Sequence, residues 1–172
     1  MLTPHYTAVE YERRFLVTAA PESRWPAAQI TDRHLTGTRV YLRKAIHPDG
    51  TITQRLCKQY PADGAGRAAI AVAELNDHDF VLYAHMEANV ITKRRSYMAV
   101  DGHTVAIDVF AGPLQGLVLC EVASAAEADV VGFVPPAWAR IEVTSEPFFF
   151  GGTLAFATPD QLRAHLAARR EP

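Results

Sequence analysis

The sequence predicts an α+β fold, a predominantly antiparallel β-sheet with a few flanking helices, in a single domain spanning 1–172. Three observations carry that expectation. Eight short runs alternate polar with apolar residues or are rich in β-branched and aromatic types. Tight-turn sequences separate several of them, and helical signals are confined to three segments. A chain of 172 residues suits one sizeable core, and no internal repeat or linker-like tract divides it.

In chain order, strands are expected over 6–17, 38–46, 51–60, 67–74, 89–99, 103–110, 116–123 and 140–144. HPDG at 47–50 and DG at 101–102 mark hairpin turns, because Gly tolerates the positive φ such turns require. Helices are expected from Asp77 (DHDFVLYAHM), from Ser124 (SAAEADVVGF) and over about 159–170. The last is the best signalled: Thr158 stands as N-cap, Pro159 at the first helical position and Gln161 three residues after the cap. A stripe of Leu162, His165 and Leu166 follows.

Composition narrows the function classes. Lys and Arg number 17 against 19 Asp and Glu, so nothing draws the whole chain to nucleic acid or to an anionic membrane, and any polyanion site must be local. The N-terminal MLTPHYTAVEYERR carries charges and a proline where a secretory signal needs an apolar run, and no segment reaches membrane-spanning length. A cytoplasmic location is expected. Cys57 and Cys120 are isolated and read as buried free thiols. The His residues form no metal-spaced pair and read as mostly surface residues.

Face parity is more informative. In EYERRFLV, Glu10, Glu12 and Arg14 share one side of a strand. Arg39, Tyr41 and Arg43 share a face opposite Val40 and Leu42. Lys93 and Arg95 stand together, Asp108 lies opposite Val105, Ile107 and Val109, and Lys58 and Glu121 each bring one charge. Two arrangements satisfy this pattern. A sandwich would turn the apolar faces inward and the charges to water. A barrel would turn the charges into an enclosed lumen, where they need mutual pairing, a metal or a polyanion.

An ordered set of motifs carries a family likeness: E-x-E-x-R-F-L-V, R-x-x-x-R, an isolated strand Lys, T-K-x-R, I-D-V-F-x-G-x-L-x-G-L-x-L-x-E-V, P-P-x-W and a late E-V-T. Over about 8–156 the chain resembles the CYTH superfamily of triphosphate tunnel metalloenzymes, especially the small bacterial inorganic triphosphatases. The resemblance implies an eight-stranded antiparallel closed β-barrel (tunnel) with flanking helices. It implies a triphosphate or polyphosphate substrate and a Mg²⁺ or Mn²⁺ cofactor. Metal ligands would be Glu10, Glu12, Asp108 and Glu121. Arg14, Arg39, Arg43, Lys58, Lys93 and Arg95 would bind phosphate, with Glu10, Glu12 and Lys93 catalytic. Glu142 matches the acid of E-V-T. Arg14 stands where relatives usually have Lys, offering a planar fork instead of a compact ammonium. Neither nucleic acid nor membrane is an expected partner, and a homodimer is a candidate assembly.

The chain also departs from that pattern. Ala69, Ala71 and Ala73 stand on the strand face where relatives carry glutamates, Ala123 replaces a second acid after Glu121, and EPFFFGG follows E-V-T. These changes suggest a wider, less charged tunnel with an aromatic wall, suited to a triphosphate with an organic part, or a partly collapsed one. Two functions follow: metal-dependent triphosphate hydrolysis, with a glutamate as the base that activates water, or a catalytically silent module binding a phosphorylated ligand or a protein.

Overall fold

A computed structural model of the chain describes residues 7–18, 25–60 and 67–170, with the backbone alone at 7–10, 67–69 and 170. The elements are β1 (Thr7–Leu16), β2 (Ala28–Leu35), β3 (Val40–Ile46), β4 (Ile52–Gln59), β5 (Arg67–Glu74), α1 (Asp77–Ala84), β6 (Ala88–Val100), β7 (His103–Phe110), β8 (Val118–Ser124), α2 (Glu127–Val131), β9 (Ile141–Glu142), α3 (Gly151–Leu154) and α4 (Pro159–Arg170). All strands join one antiparallel sheet in the order β5-β4-β3-β2-β6-β7-β8-β1-β9.

The turns follow the sequence. Asp101 and Gly102 both have positive φ, 45° and 82°, between register partners Val100 and His103, which is the two-residue hairpin that Asp-Gly favours. In the 47–50 turn the Gly50 N–H donates to the His47 carbonyl at 2.9 Å, at φ 85°. At α4 the capping box is complete: the Gln161 N–H donates to Thr158 Oγ1 at 3.2 Å, and the Thr158 N–H donates to Gln161 Oε1 at 2.9 Å. α1 begins where expected, with Asn76 Oδ1 accepting from the Asp79 N–H at 2.8 Å. Its C-terminal carbonyls are held by Arg33, whose Nη2 donates to Ala84 O at 2.9 Å. α2 is only five residues long, shorter than the SAAEADVVGF signal.

The sheet departs from the expected eight-stranded closed barrel. It has nine strands, and β1 divides one edge between two partners. Residues 7–11 pair with 67–71 of β5, while Phe15 and Leu16 pair with Glu142 and Ile141 of β9. A closed ring leaves no strand at an end, whereas here the order terminates on the two-residue β9. The sheet is branched at β1 and open at that side. The strand absent from the expectation is β2. Its sequence, AQITDRHL, places Asp, Arg and His in consecutive pairs of faces and so hides the apolar alternation.

The core decides between the two arrangements that the parity left open. Phe15, Val105, Ile107, Cys120 and Val122 pack with Val130 of α2 and with Phe133 on the convex side of β1, β7 and β8. A second cluster joins Ile91, Phe110 and Leu119 to Phe149, Leu154 of α3 and Leu162 of α4. α2 and the loop after it cover the apolar outer face of β1, β7 and β8, so the charged residues on alternate positions of these strands face the concave side, where the second cluster closes in on the same face. Cys57 and Cys120 are buried free thiols, as expected.

Candidate active site

Twist accumulated over nine strands curls the sheet until side chains from eight of them reach one cavity of about 120 Å³. Glu12 comes from β1, Asp32 from β2, Arg43 from β3, Gln59 from β4, Ile70 from β5, Lys93 from β6, Asp108 from β7 and Glu121 from β8. Phe110, Leu119, Ile91, Phe149 and Leu154 also line it, and all five are buried members of the core cluster that ends at α4. One end of the cavity is therefore lined by apolar side chains. Toward the other end of β7 and β8, Thr104 and Ala123 are exposed.

Four carboxylates, Glu12, Asp32, Asp108 and Glu121, meet four cations, Arg14, Arg43, Lys93 and Arg95. Asp108 is 2% exposed. Its Oδ1 accepts from Arg95 Nε at 2.6 Å, and its Oδ2 accepts from Lys93 Nζ at 2.7 Å and from Arg95 Nη2 at 2.6 Å. Register sets this up, because Arg95 stands opposite Asp108 and Lys93 two residues along the same face. Asp32 takes Arg43 as a fork, Nε and Nη2 each at 2.7 Å. Arg14 pairs with Glu12 two residues before it, and its Nε lies 3.5 Å from Glu121, which is also 3.5 Å from Arg95. The ring of Phe150 stands 5.9 Å from the Arg14 guanidinium carbon.

Burial would push each enclosed carboxyl up; the cations reverse the sign. The Lys93 and Arg95 charges and hydrogen bonds hold Asp108 well below the ordinary carboxylate range. Arg95 and Arg14 lower Glu121, and the Arg43 fork lowers Asp32. Lys93 is pulled below its ordinary value because burial outweighs the attraction of Asp108 and Arg95 repels it.

Several expected site residues converge here: Glu12, Arg14, Arg43, Lys93, Arg95, Asp108 and Glu121. Glu10 lies on β1 opposite Ala68, and its side chain is outside the described residues, as is that of Ala69. Arg39 is exposed just before β3. Lys58 is exposed beside Tyr60, 5.3 Å from its ring. The reason is register: Tyr41 of the cavity wall pairs with Cys57, so Lys58, opposite Val40, points to the convex face. The same register corrects β5. Ile70 lines the cavity, whereas Ala71 pairs with Lys58 and Ala73 with Leu56, so the alanines do not widen it. Ala123 does face Glu12 across β1 and β8. Glu142 lies outside the cavity, where its carboxylate takes Arg13 Nε at 3.0 Å and Nη2 at 2.8 Å. Lys58→Ala and Arg39→Ala variants are accordingly expected to keep phosphate release within about twofold of the parent, the scale of a neutral surface change. A loss above tenfold in steady-state assays would place those side chains in the site.

Sequence reasoning missed Asp32 and His34, both buried in the cavity wall. The available signal was the shared parity of Ile30, Asp32 and His34.

Among the described residues no three Asp, Glu, His or Cys side chains group closely enough to hold a metal ion. The donor chemistry nevertheless suits a hard cation. Glu12 and Glu121 both reach Arg14 from adjoining strands, and Mg²⁺ commonly binds one or two carboxylates, completing its shell with water and substrate phosphate. Asp108 does not fit that role, because both its oxygens are already held by cations.

No family model matches the chain. Among curated proteins it is 29% identical over 152 residues to an inorganic triphosphatase of Nitrosomonas europaea, covering 87% of this chain and 99% of the relative. A crystal structure of an inorganic triphosphatase superposes with a TM-score of 0.60 at 27% identity, covering 92% of this chain and 98% of the other. A putative adenylate cyclase from Bacillus halodurans shares the fold at 13% identity, with a TM-score of 0.50 over 73% of this chain and 86% of its own. No helix among the described residues is long and apolar enough to cross a membrane.

Proposed function

We propose that this chain is a CYTH-type triphosphatase that hydrolyses inorganic triphosphate with a divalent cation, Mg²⁺ or Mn²⁺. One observation carries the reading: Arg14, Arg43, Lys93 and Arg95 converge with Glu12 and Glu121 on one concave face, in a chain homologous to an inorganic triphosphatase over most of its length. Four cations at hydrogen-bonding range of each other's carboxylates are far more than a fold needs, and their natural exchange partners are phosphate oxygens. A cation held by Glu12 and Glu121, on β1 and β8, would supply charge neutralisation for the phosphate chain, and Glu10 stands two residues before Glu12 in β1. With Glu12 and Glu121 engaged in that way, Arg14 together with Arg43, Lys93 and Arg95 would be left to hold the phosphates and stabilise charge as the terminal group transfers. Asp108 and Asp32 act as positioning residues that aim Lys93, Arg95 and Arg43.

The balance of four carboxylates against four cations makes the metal essential to affinity. Without it, an incoming anion must displace carboxylates already satisfied by the same bases. Purified protein is therefore expected to release orthophosphate from tripolyphosphate when Mg²⁺ or Mn²⁺ is present and to stop when EDTA is added. Absence of release with every divalent cation tried, while tripolyphosphate still binds in calorimetry, would assign the chain to the silent, ligand-binding class instead.

A further inference from the structure

Every carboxylate of the cavity described above is engaged by a cation: Glu12 pairs with Arg14, and the cations beside Asp32, Asp108 and Glu121 hold these three below the ordinary carboxylate range, which makes them weak proton acceptors. Two cavity-lining titratable groups lie in no ion pair among the described residues, Tyr41 and His34, and of these only the imidazole of His34, on β2 and 8% exposed, can take up a proton while neutral. Its ring stacks on Tyr41 of β3 at 5.0 Å and 24°. The Cε1–Nε2 edge faces Gly151 at the start of α3, where an added Cβ would stand 3.4 Å from Cε1 and 3.6 Å from Nε2. Gly151 has no positive φ, so its missing side chain is not a backbone requirement; what it leaves is room beside the imidazole.

The position of His34 matters as much as its freedom. It sits toward the apolar end, beside Gly151 and lining the same cavity as Phe149 and Leu154, with the Arg43 and Lys93 charges on the neighbouring strands β3 and β6. A triphosphate entering from the Thr104 and Ala123 side would present its terminal phosphate to that end. In-line attack would then come from the apolar end and the leaving group would depart toward the Thr104 and Ala123 end.

We infer that His34 is the general base of the hydrolysis, accepting the proton of the water that attacks the terminal phosphorus. The inference rests on the triphosphatase reading above. The water oxygen bonds to phosphorus, the bond from phosphorus to the bridging oxygen breaks, and its electron pair leaves with pyrophosphate. The water proton goes to an imidazole nitrogen, and orthophosphate is the second product. The charged and titratable groups facing His34 are Asp32 on its own strand, Tyr41 and Arg43 on β3, and Lys93 on β6. Burial lowers its pKa from the ordinary imidazole value, and Arg43 and Lys93 lower it further against the pull of Asp32, so the ring is neutral and able to accept at neutral pH.

The test is kcat against pH, at saturating tripolyphosphate and metal, for the parent, His34→Gln and His34→Asn. The parent is expected to lose rate on the acid side with a midpoint below about 6.5, as the imidazole protonates. Each variant is expected to fall about 10²–10⁴-fold in kcat with tripolyphosphate affinity unchanged, and to lose that acid limb. A folded variant that keeps the limb assigns it to the substrate or the metal-bound water and overturns the inference. So does a variant with parental kcat. Should both variants fail to fold, a parent rate flat down to about pH 5 overturns it, and an acid limb whose midpoint matches the His34 imidazole titration followed by NMR in the parent supports it. A parent that hydrolyses nothing refutes the triphosphatase reading itself, which separates the two failures.

Discussion

Asp108→Asn is expected to lower stability by about 3–5 kcal/mol, a fall in Tm on the order of 10 °C, and to cripple phosphate release in the protein that still folds. Asp108 is 2% exposed and balances two cations at once, Lys93 and Arg95. Removing one partner of a buried ion pair costs far more than removing both, because the remaining charge keeps its desolvation penalty and loses its compensation. Two effects limit the loss. Arg95 retains Glu121 at 3.5 Å, and Lys93, already below its ordinary pKa, can shed its proton. The same substitution changes the acid response. The folded pKa of Asp108 lies below its unfolded value, so its contribution is complete above the ordinary carboxylate pKa of about 3.9 and drains away as pH falls toward the folded value. Asp108→Asn should flatten that part of the stability-versus-pH curve. Thermal melts between about pH 3 and pH 7 check both statements, and a variant within 2 °C or so of the parent at neutral pH would mean that the pair is not buried and compensated as described.

Much of this site is legible in the sequence because charges at period two on a strand must share a face. Glu12 with Arg14, and Lys93 with Arg95, are placed together by parity alone, and they do meet in the cavity. Parity says which residues share a face; it does not say which face each strand turns inward. That second fact comes from register with the neighbouring strand. Lys58 shows the difference: its pairing with Val40 carries it to the convex side, while Cys57 and Gln59 take the inward one. On β5 the sequence RAAIAVAE offers apolar residues on both faces, so no contrast in polarity marks the inward set. Asp32 and His34 were hidden for the reverse reason, since a strand with polar residues on both faces lacks the alternation by which strands are found. The ninth strand is two residues long, and its pairing with β1 depends on where the preceding loop delivers it.

Lys93→Met should separate catalysis from stability in the direction opposite to Asp108→Asn. Phosphate release is expected to fall about 10²–10³-fold, the usual cost of deleting one preorganised charge from a site where charge develops. Stability is expected to change little, because Asp108 keeps the two-point fork of Arg95, Nε to Oδ1 and Nη2 to Oδ2, each at 2.6 Å. Methionine fills the volume of the lysine stem against Phe110, whose ring stands 5.4 Å from Nζ, and it removes a buried ammonium that burial and Arg95 already disfavour. What stability loses is one charged hydrogen bond, and what it gains is relief from that desolvation, so the two nearly cancel. In the proposed reaction the phosphate would gain no such relief: Lys93 would offer the terminal group a compact cation that Arg95, held at two points by Asp108, cannot replace without leaving its own partner. Steady-state hydrolysis and thermal melts on the same preparation read both quantities. Activity within about threefold of the parent would show that the ammonium serves Asp108 and never the phosphate. A Tm loss as large as that of Asp108→Asn would show that the fork of Arg95 is not by itself enough to compensate the buried carboxylate.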